Sequence, residues 1–203
     1  MKRLLLSFYR AIVPICVTLL SNLYFVHAQV SDYQFSQTEG VYTEITGAGN
    51  ITTTSGTLTQ DTYNTLINLP FSIPFNGASY NTLTITGDGA IYFNPTIVTS
   101  STSPFNTTAR GVIAAFGRDL RGFYNLNHVG SIDTVTQVVA GERVFIIQQK
   151  NWSAFAYSNS ATSYQILNFQ YHLYESGKIQ IVYGEFSPAG NSTLTGEAFV
   201  GLR

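Results

Sequence analysis

Leu167-Asn-Phe-Gln-Tyr-His-Leu-Tyr-Glu-Ser-Gly-Lys-Ile-Gln-Ile-Val-Tyr183 carries two alternating apolar runs around a glycine-bearing turn, and its register decides the fold. Leu167, Phe169, Tyr171 and Leu173 occupy every second position before the turn, and Ile179, Ile181 and Tyr183 do so after it. Successive side chains of a strand point to opposite faces, so the two sets should share one buried face. A two-residue loop at Ser176-Gly177 would set Leu173 opposite Gln180 and mismatch the faces. A three-residue loop, Glu175-Ser176-Gly177, with Gly177 left-handed in a G1 bulge, instead pairs Leu173 with Ile179, Tyr171 with Ile181 and Phe169 with Tyr183. Asn168, Gln170 and His172 then lie beside Gln180 and Val182 on the other face, a moderately polar surface where a histidine is expected to be solvated.

Working outward, Gly130–Val139 and Arg143–Gln149 read as two more strands joined at Ala140-Gly141-Glu142. Leu69-Pro-Phe-Ser-Ile-Pro-Phe75 alternates apolar residues with two prolines, which lack a donor and are tolerated at a sheet edge. Asn76-Gly77 turns the chain into Tyr80–Thr86, with Leu83 and Ile85 on one face and Thr82, Thr84 and Thr86 on the other. Gly87-Asp88-Gly89 closes a hairpin with Ala90–Phe93, whose Ile91 and Phe93 share a face. Pro95–Thr108 is expected to be a long surface loop before a buried strand, Val112–Phe116. Nearer the N-terminus, Tyr33–Ser36 and Val41–Thr46 read as short strands and Gly47–Gly56 as a loop. Strands at this spacing, with no helical pattern between them, predict an all-β fold: an antiparallel β-sandwich of two packed sheets. Val112 and Phe116 join Leu83/Ile85 and the two runs of the first hairpin in its expected core.

Residues 1–28 read as an export signal. Lys2, Arg3 and Arg10 form a basic region, Ala11–Leu20 a short apolar stretch broken by Pro14, and Val26-His27-Ala28 precedes a cut ahead of Gln29. The apolar stretch is too short to span a bilayer, which takes about 20 apolar residues. The expected mature chain, residues 29–203, is one domain of 175 residues with no membrane span. It holds seven Lys and Arg against eleven Asp and Glu, a formal charge of −4 with no basic tract, which argues against a nucleic-acid partner. Cys16, the only cysteine, falls within the signal, so the mature chain holds together without disulfides. The location expected is secreted or at the cell surface, after export through the inner membrane. Sequons at Asn50, Asn106, Asn151 and Asn191 are ordinary in a chain rich in Asn, Ser and Thr and carry no weight.

Chemistry-bearing residues are few. Gly117-Arg118-Asp119-Leu120-Arg121-Gly122 is the densest charged cluster. Its Arg118 and Arg121 could grip an anion and its Asp119 a hard cation, but the favoured reading is a turn with Asp119 paired to one of the arginines. One carboxylate builds no calcium site, and Asp88 between two glycines is an ordinary turn residue, so neither a metal nor a cofactor is expected. A catalytic triad lacks parts: the expected mature chain has only His128 and His172, no cysteine and no Gly-x-Ser-x-Gly turn. No two of the eleven carboxylates are marked as a glycosidase pair, so the chain is not expected to be an enzyme. Trp152, Phe155 and Tyr157 form an aromatic segment that could stack on sugar faces, the alternative being that part of it belongs to the core.

Several stretches together resemble the N-terminal extracellular β-module of long secreted proteins of Bacteroidota that end in a type IX secretion sorting domain. They are Leu69–Tyr80, Ile85–Phe93, Val112–Gly122, Val144–Trp152, and Asn168–Gly184 with its Tyr-Glu-Ser-Gly-Lys turn. In its aromatic-Gly strand pair, followed by a strand ending in Phe and an acidic residue, the chain is also similar to the nidogen-type extracellular domain. The resemblance implies a non-catalytic surface module with an adhesion, structural or binding role, its partner a surface protein or a glycan. A carbohydrate-binding domain attached to a secreted enzyme is the alternative. Phe199-Val-Gly-Leu-Arg203 reads as the interior of a strand, so the chain is expected to be the N-terminal part of a longer protein.

Overall fold

A computed structural model describes residues 30, 33–46, 49–53, 64–93, 111–122, 124–125, 128–154, 166–187 and 198–203. The expected signal, the cut ahead of Gln29 and the expected 95–108 loop lie outside them. Thirteen strands follow one another among the described residues: β1 Gly49–Thr53, β2 Asn64–Phe75, β3 Ala78–Thr86, β4 Ala90–Tyr92, β5 Val112–Gly117, β6 Leu120–Gly122, β7 Tyr124–Asn125, β8 His128–Val129, β9 Ser131–Val139, β10 Glu142–Ala154, β11 Ile166–Tyr174, β12 Ile179–Ser187 and β13 Phe199–Leu202. All their pairings are antiparallel. One sheet runs β1-β9-β10-β11-β12, with β6 also beside β10; the other runs β13-β5-β4-β3-β2, and β7-β8 is a small ribbon. The two large sheets make the all-β sandwich that the alternation predicts.

The deciding hairpin has the expected register, Leu173 opposite Ile179, Tyr171 opposite Ile181 and Phe169 opposite Tyr183. Gly177 has φ 89°, its N–H donates to Tyr174 O at 2.9 Å, and Tyr174 N–H donates to Lys178 O at 3.0 Å, the bonds of a G1-bulged three-residue loop. Leu167, Phe169, Tyr171 and Leu173 meet Leu83, Ile85, Ile91, Phe93 and Ile113 in one core, with Ile179 and Ile181 half-buried against it. Tyr183 departs from the expectation: on the edge strand its ring stays 48% exposed while its hydroxyl reaches inward to Ala115 O. Val112 departs differently, because Ile113 and Ala115 take the core face. Val112 is buried on the far side of its sheet with Ala90, Tyr92 and Ala114, and Phe116 is half-buried.

β2 lies at a sheet edge, as its prolines require, and its ladder with β3 slips between Asn68 and Ile73, around Pro70. Asn76 and Gly77 have φ 49° and 77°, both positive as a type I′ hairpin needs. The turn after β9 is shorter than expected. Ala140 and Gly141 alone make it, at φ 51° and 86°, and Glu142 is already paired with Val139. The stretch expected as a loop over Gly47–Gly56 contains β1, and the two expected strands at Tyr33–Ser36 and Val41–Thr46 form no strand and belong to no ladder.

Residues 42–45 lie over the outer face of the larger sheet. Tyr42 Oη donates to Gln148 Oε1 at 3.0 Å, Ile45 N–H donates to the same oxygen at 3.0 Å, and Gln170 Nε2 donates to it at 2.8 Å and to Thr43 O at 2.8 Å. Lys150 and Glu44 form an ion pair beside them. Ile45 packs with Val144, Ile146 and Tyr174, and the Tyr42 ring lies so close over Gly184 that a Cβ there would sit 2.8 Å from it. The strap over residues 42–45 is therefore held by side chains of the sheet and not by a backbone ladder.

Candidate functional site

At one end of the sandwich the two hairpin turns, one from each sheet, come together. A Cβ on Gly177 would lie 2.9 Å from Pro74 Cγ, so glycine serves both the left-handed turn and this close approach. Between the turns lies a groove of about 560 Å³, lined on one side by Asn76, Gly77 and Ser79, on the other by Ser176 and Lys178, with Tyr33, Pro74 and Phe75 along it. Tyr33 is set by its N–H on Val30 O at 3.2 Å and by its ring, 5.6 Å from that of Phe75, which in turn stacks on Phe93 at 4.8 Å. Burial raises the Tyr33 hydroxyl above the ordinary tyrosine value, opposed by a hydrogen bond with the Asn76 backbone. The Lys178 ammonium sits 4.5 Å from the centre of the Tyr174 ring. The groove thus offers the Tyr33 ring, the Ser79 and Ser176 hydroxyls and the Lys178 ammonium.

An exposed ion pair lies at the turn of β11 and β12. Arg143 grips Glu175 with both Nε, at 2.8 Å, and a terminal nitrogen, and its guanidinium lies 4.8 Å from the centre of the Phe71 ring. Ser176 N–H donates to Glu142 Oε1 at 2.7 Å. The hydrogen bond to Glu175 raises Arg143 above its usual value, and the same bond lowers Glu175 below the usual carboxylate range.

Of the candidate site residues, the described ones, Trp152, Arg118, Asp119 and Arg121, do not line this groove. Trp152 is wholly buried and its Nε1 donates to Ser131 O at 3.0 Å, so it cannot present a face to a sugar. The reason is a β-bulge: Gln149 faces Phe169 and Trp152 faces Leu167, one extra residue on β10, with Asn151 at φ 56°. The bulge resets the alternation and turns the indole inward. Phe155 and Tyr157, the other members of that segment, lie outside the described residues.

The charged cluster is also corrected. Leu120–Gly122 is not a turn but strand β6, with buried Arg121 opposite Ser153 of β10, while Arg118 and Asp119 are half-buried between β5 and β6. Arg118 N–H donates to Asp88 O at 3.1 Å, tying this link to the Gly87–Gly89 turn. At that turn the Gly89 carbonyl accepts Tyr171 Oη at 2.6 Å from the opposite sheet, which makes the region a joint between the sheets. Among the described residues no group of three or more His, Cys, Asp and Glu is placed to hold a metal.

His172 is not solvated as expected. It is half-buried, one ring nitrogen lies 2.8 Å from Gln170 Oε1, and burial lowers its pKa below the ordinary histidine value. The side chain of His128 lies outside what the structure describes. The groove and the strap contacts left only one kind of signal in the sequence: Asn76-Gly77 and Ser176-Gly177 are both tight turns, but nothing in a pattern of alternation says that turns of different sheets meet.

The fold defines an antiparallel β-sandwich of two packed sheets. The chain matches the NIDO-related family over residues 32–203 and belongs to it, a nidogen-type extracellular domain. No curated protein and no solved structure matches the chain. No helix among the described residues is long and apolar enough to cross a membrane.

Proposed function

We propose that this chain is a non-catalytic binding module of a secreted protein, acting at the cell surface in adhesion or as a structural element, and that the groove between the two turns is where it meets its partner. The observation that carries this is membership of an extracellular family across residues 32–203. The groove supports it, since an aromatic ring, Tyr33, with a few polar groups beside it is a common composition of a recognition surface. The N-terminal sequence supports export with a cut ahead of Gln29, and the resemblance to Bacteroidota surface proteins supports a place outside the inner membrane. Carbohydrate binding is the second reading, favoured by Tyr33 and Lys178 at the groove rather than by the buried Trp152.

A glycan array on the secreted protein, run beside a hydrolase substrate screen, separates these readings. A sugar signal lost in Tyr33→Ala or Lys178→Ala with an unchanged circular dichroism spectrum promotes the carbohydrate reading. Turnover abolished by one carboxylate substitution overturns the non-catalytic one. Intact mass of the exported product tests the cut, and a product retaining Met1 rejects it.

A further inference from the structure

Among the described residues four strands end the two large sheets, and in three of them features that discourage pairing with another chain break up the strand or leave it short. β2 contains Pro70 and Pro74 and a register slip; β1 is five residues long with a slip between Asn50 and Thr52; β13 is four residues long with a slip between Phe199 and Gly201. β12 differs. Its segment Ile179–Tyr183 has no proline, no charge and no slip in its pairing with β11, and among the described residues it has a neighbour on one side only. Its apolar residues are half-buried, and Tyr183 and Phe186 are about half exposed beside it.

The backbone phase of this edge follows from the turn. Tyr174 N–H bonds Lys178 O, and bonding alternates along an antiparallel ladder, so Gln180 and Val182 bond to β11 while Ile179, Ile181 and Tyr183 aim their N–H and C=O groups outward. We propose that this edge is a homodimer interface in which Ile179–Tyr183 pairs antiparallel with the same segment of a second copy, joining two larger sheets into one. With Ile181 on the twofold axis, Ile179 of each copy meets Tyr183 of the other and Gln180 meets Val182. Every outward amide in the segment finds a carbonyl, and each core-facing residue meets a core-facing one. Lys178 of one copy falls next to the Gly184-Glu185 step of the other, so opposite charges approach and like charges do not.

Sedimentation of the secreted protein over a range of concentrations tests the proposal, together with two variants. Ile181→Pro removes an outward donor and leaves the β11 ladder bonds intact; the dimer fraction should fall at least tenfold with the circular dichroism spectrum unchanged. Gln180→Cys with Val182→Cys, made in a Cys16→Ser chain that has no other cysteine, places thiols at non-hydrogen-bonded cross-strand positions, where Cβ atoms approach most closely. On oxidation it should form a disulfide-linked dimer, while Val138→Cys, exposed on another strand, should not. A chain that stays monomeric up to about 1 mM overturns the proposal. So does a dimer that forms no 180–182 disulfide, a result that stands even if the proline variant fails to fold.

Discussion

The two faces of the larger sheet are both covered, by different means. On the inner face Phe145, Ile147 and Trp152 of β10 and Phe169, Tyr171 and Leu173 of β11 meet the second sheet in an apolar core. On the outer face the same strands present Gln148, Gln170 and His172, and the strap closes over them through hydrogen bonds centred on one amide oxygen, Gln148 Oε1. The inner face is held by area removed from water, which is undirected and tolerant of shape change. The outer face is held by directed hydrogen bonds that converge on Gln148 Oε1, while the buried Gln148 Nε2 finds no partner; such bonds fix one position of the strap and are costly to break singly. β10 and β11 thus serve two purposes, a core on one side and an anchorage on the other.

The largest effect is expected on the inner face. Trp152→Ala should cost about 3–5 kcal/mol, from lost transfer energy and an unfilled cavity, read as a fall in the denaturant midpoint of the whole domain. A change within about 0.5 kcal/mol would mean the indole is not core and would reopen Trp152 as a surface platform. Next, Gln148→Ala leaves the Tyr42 hydroxyl and the Ile45 N–H without their acceptor, and each orphaned buried donor costs about 1–3 kcal/mol. Hydrogen exchange should show protection lost over residues 42–45 while β11 keeps its own. Equal loss at both sites would mean that the two faces unfold as one unit and would erase the contrast between them.

A smaller effect is pH-dependent. His172 has its folded pKa lowered by burial, so the unfolded chain takes up its proton first; stability is intact above the unfolded value and falls as pH drops from about 6.5 through the folded value. His172→Gln should flatten that segment of a stability–pH profile. A wild-type profile flat between about pH 7 and 5 would place the imidazole in solvent. The smallest effect belongs to the turn of β11 and β12: Arg143→Ala removes an exposed ion pair with Glu175 and should leave the unfolding midpoint unchanged within error, because solvent and salt screen such pairs. A clear loss would show that this turn is as firmly built as the outer face.

Local chemistry makes the hairpins legible in the chain itself. Alternation in β11 and β12 and the Glu175-Ser176-Gly177 turn settle the register, because a slip by one residue would send a whole apolar set to the wrong side. The prolines of β2 mark an edge for an equally local reason, a missing donor. The burial of Trp152 is not legible in the same way, because one extra residue, Asn151, inverts the alternation after it. The cause lies in the neighbouring strand: Asn168 Oδ1 accepts the Asn151 N–H at 2.8 Å, while its Nδ2 reaches Glu185 O at 3.4 Å, near the slip in β12.

Composition, charge, the all-β class and the pairing of neighbouring strands follow from the amino-acid sequence, since each depends on residues close together in the chain and on a period of two. Three features needed the assembled molecule: the polar face of β10 and β11 is buried under residues 42–45, Trp152 points inward, and turns from two sheets abut to form a groove. The first and last join segments distant in sequence: Gln148 lies 103 residues from Ile45, and Gly177 packs on Pro74. The hydrogen-bonding and shape complementarity that select such meetings belong to the assembled pair and are written in neither segment alone.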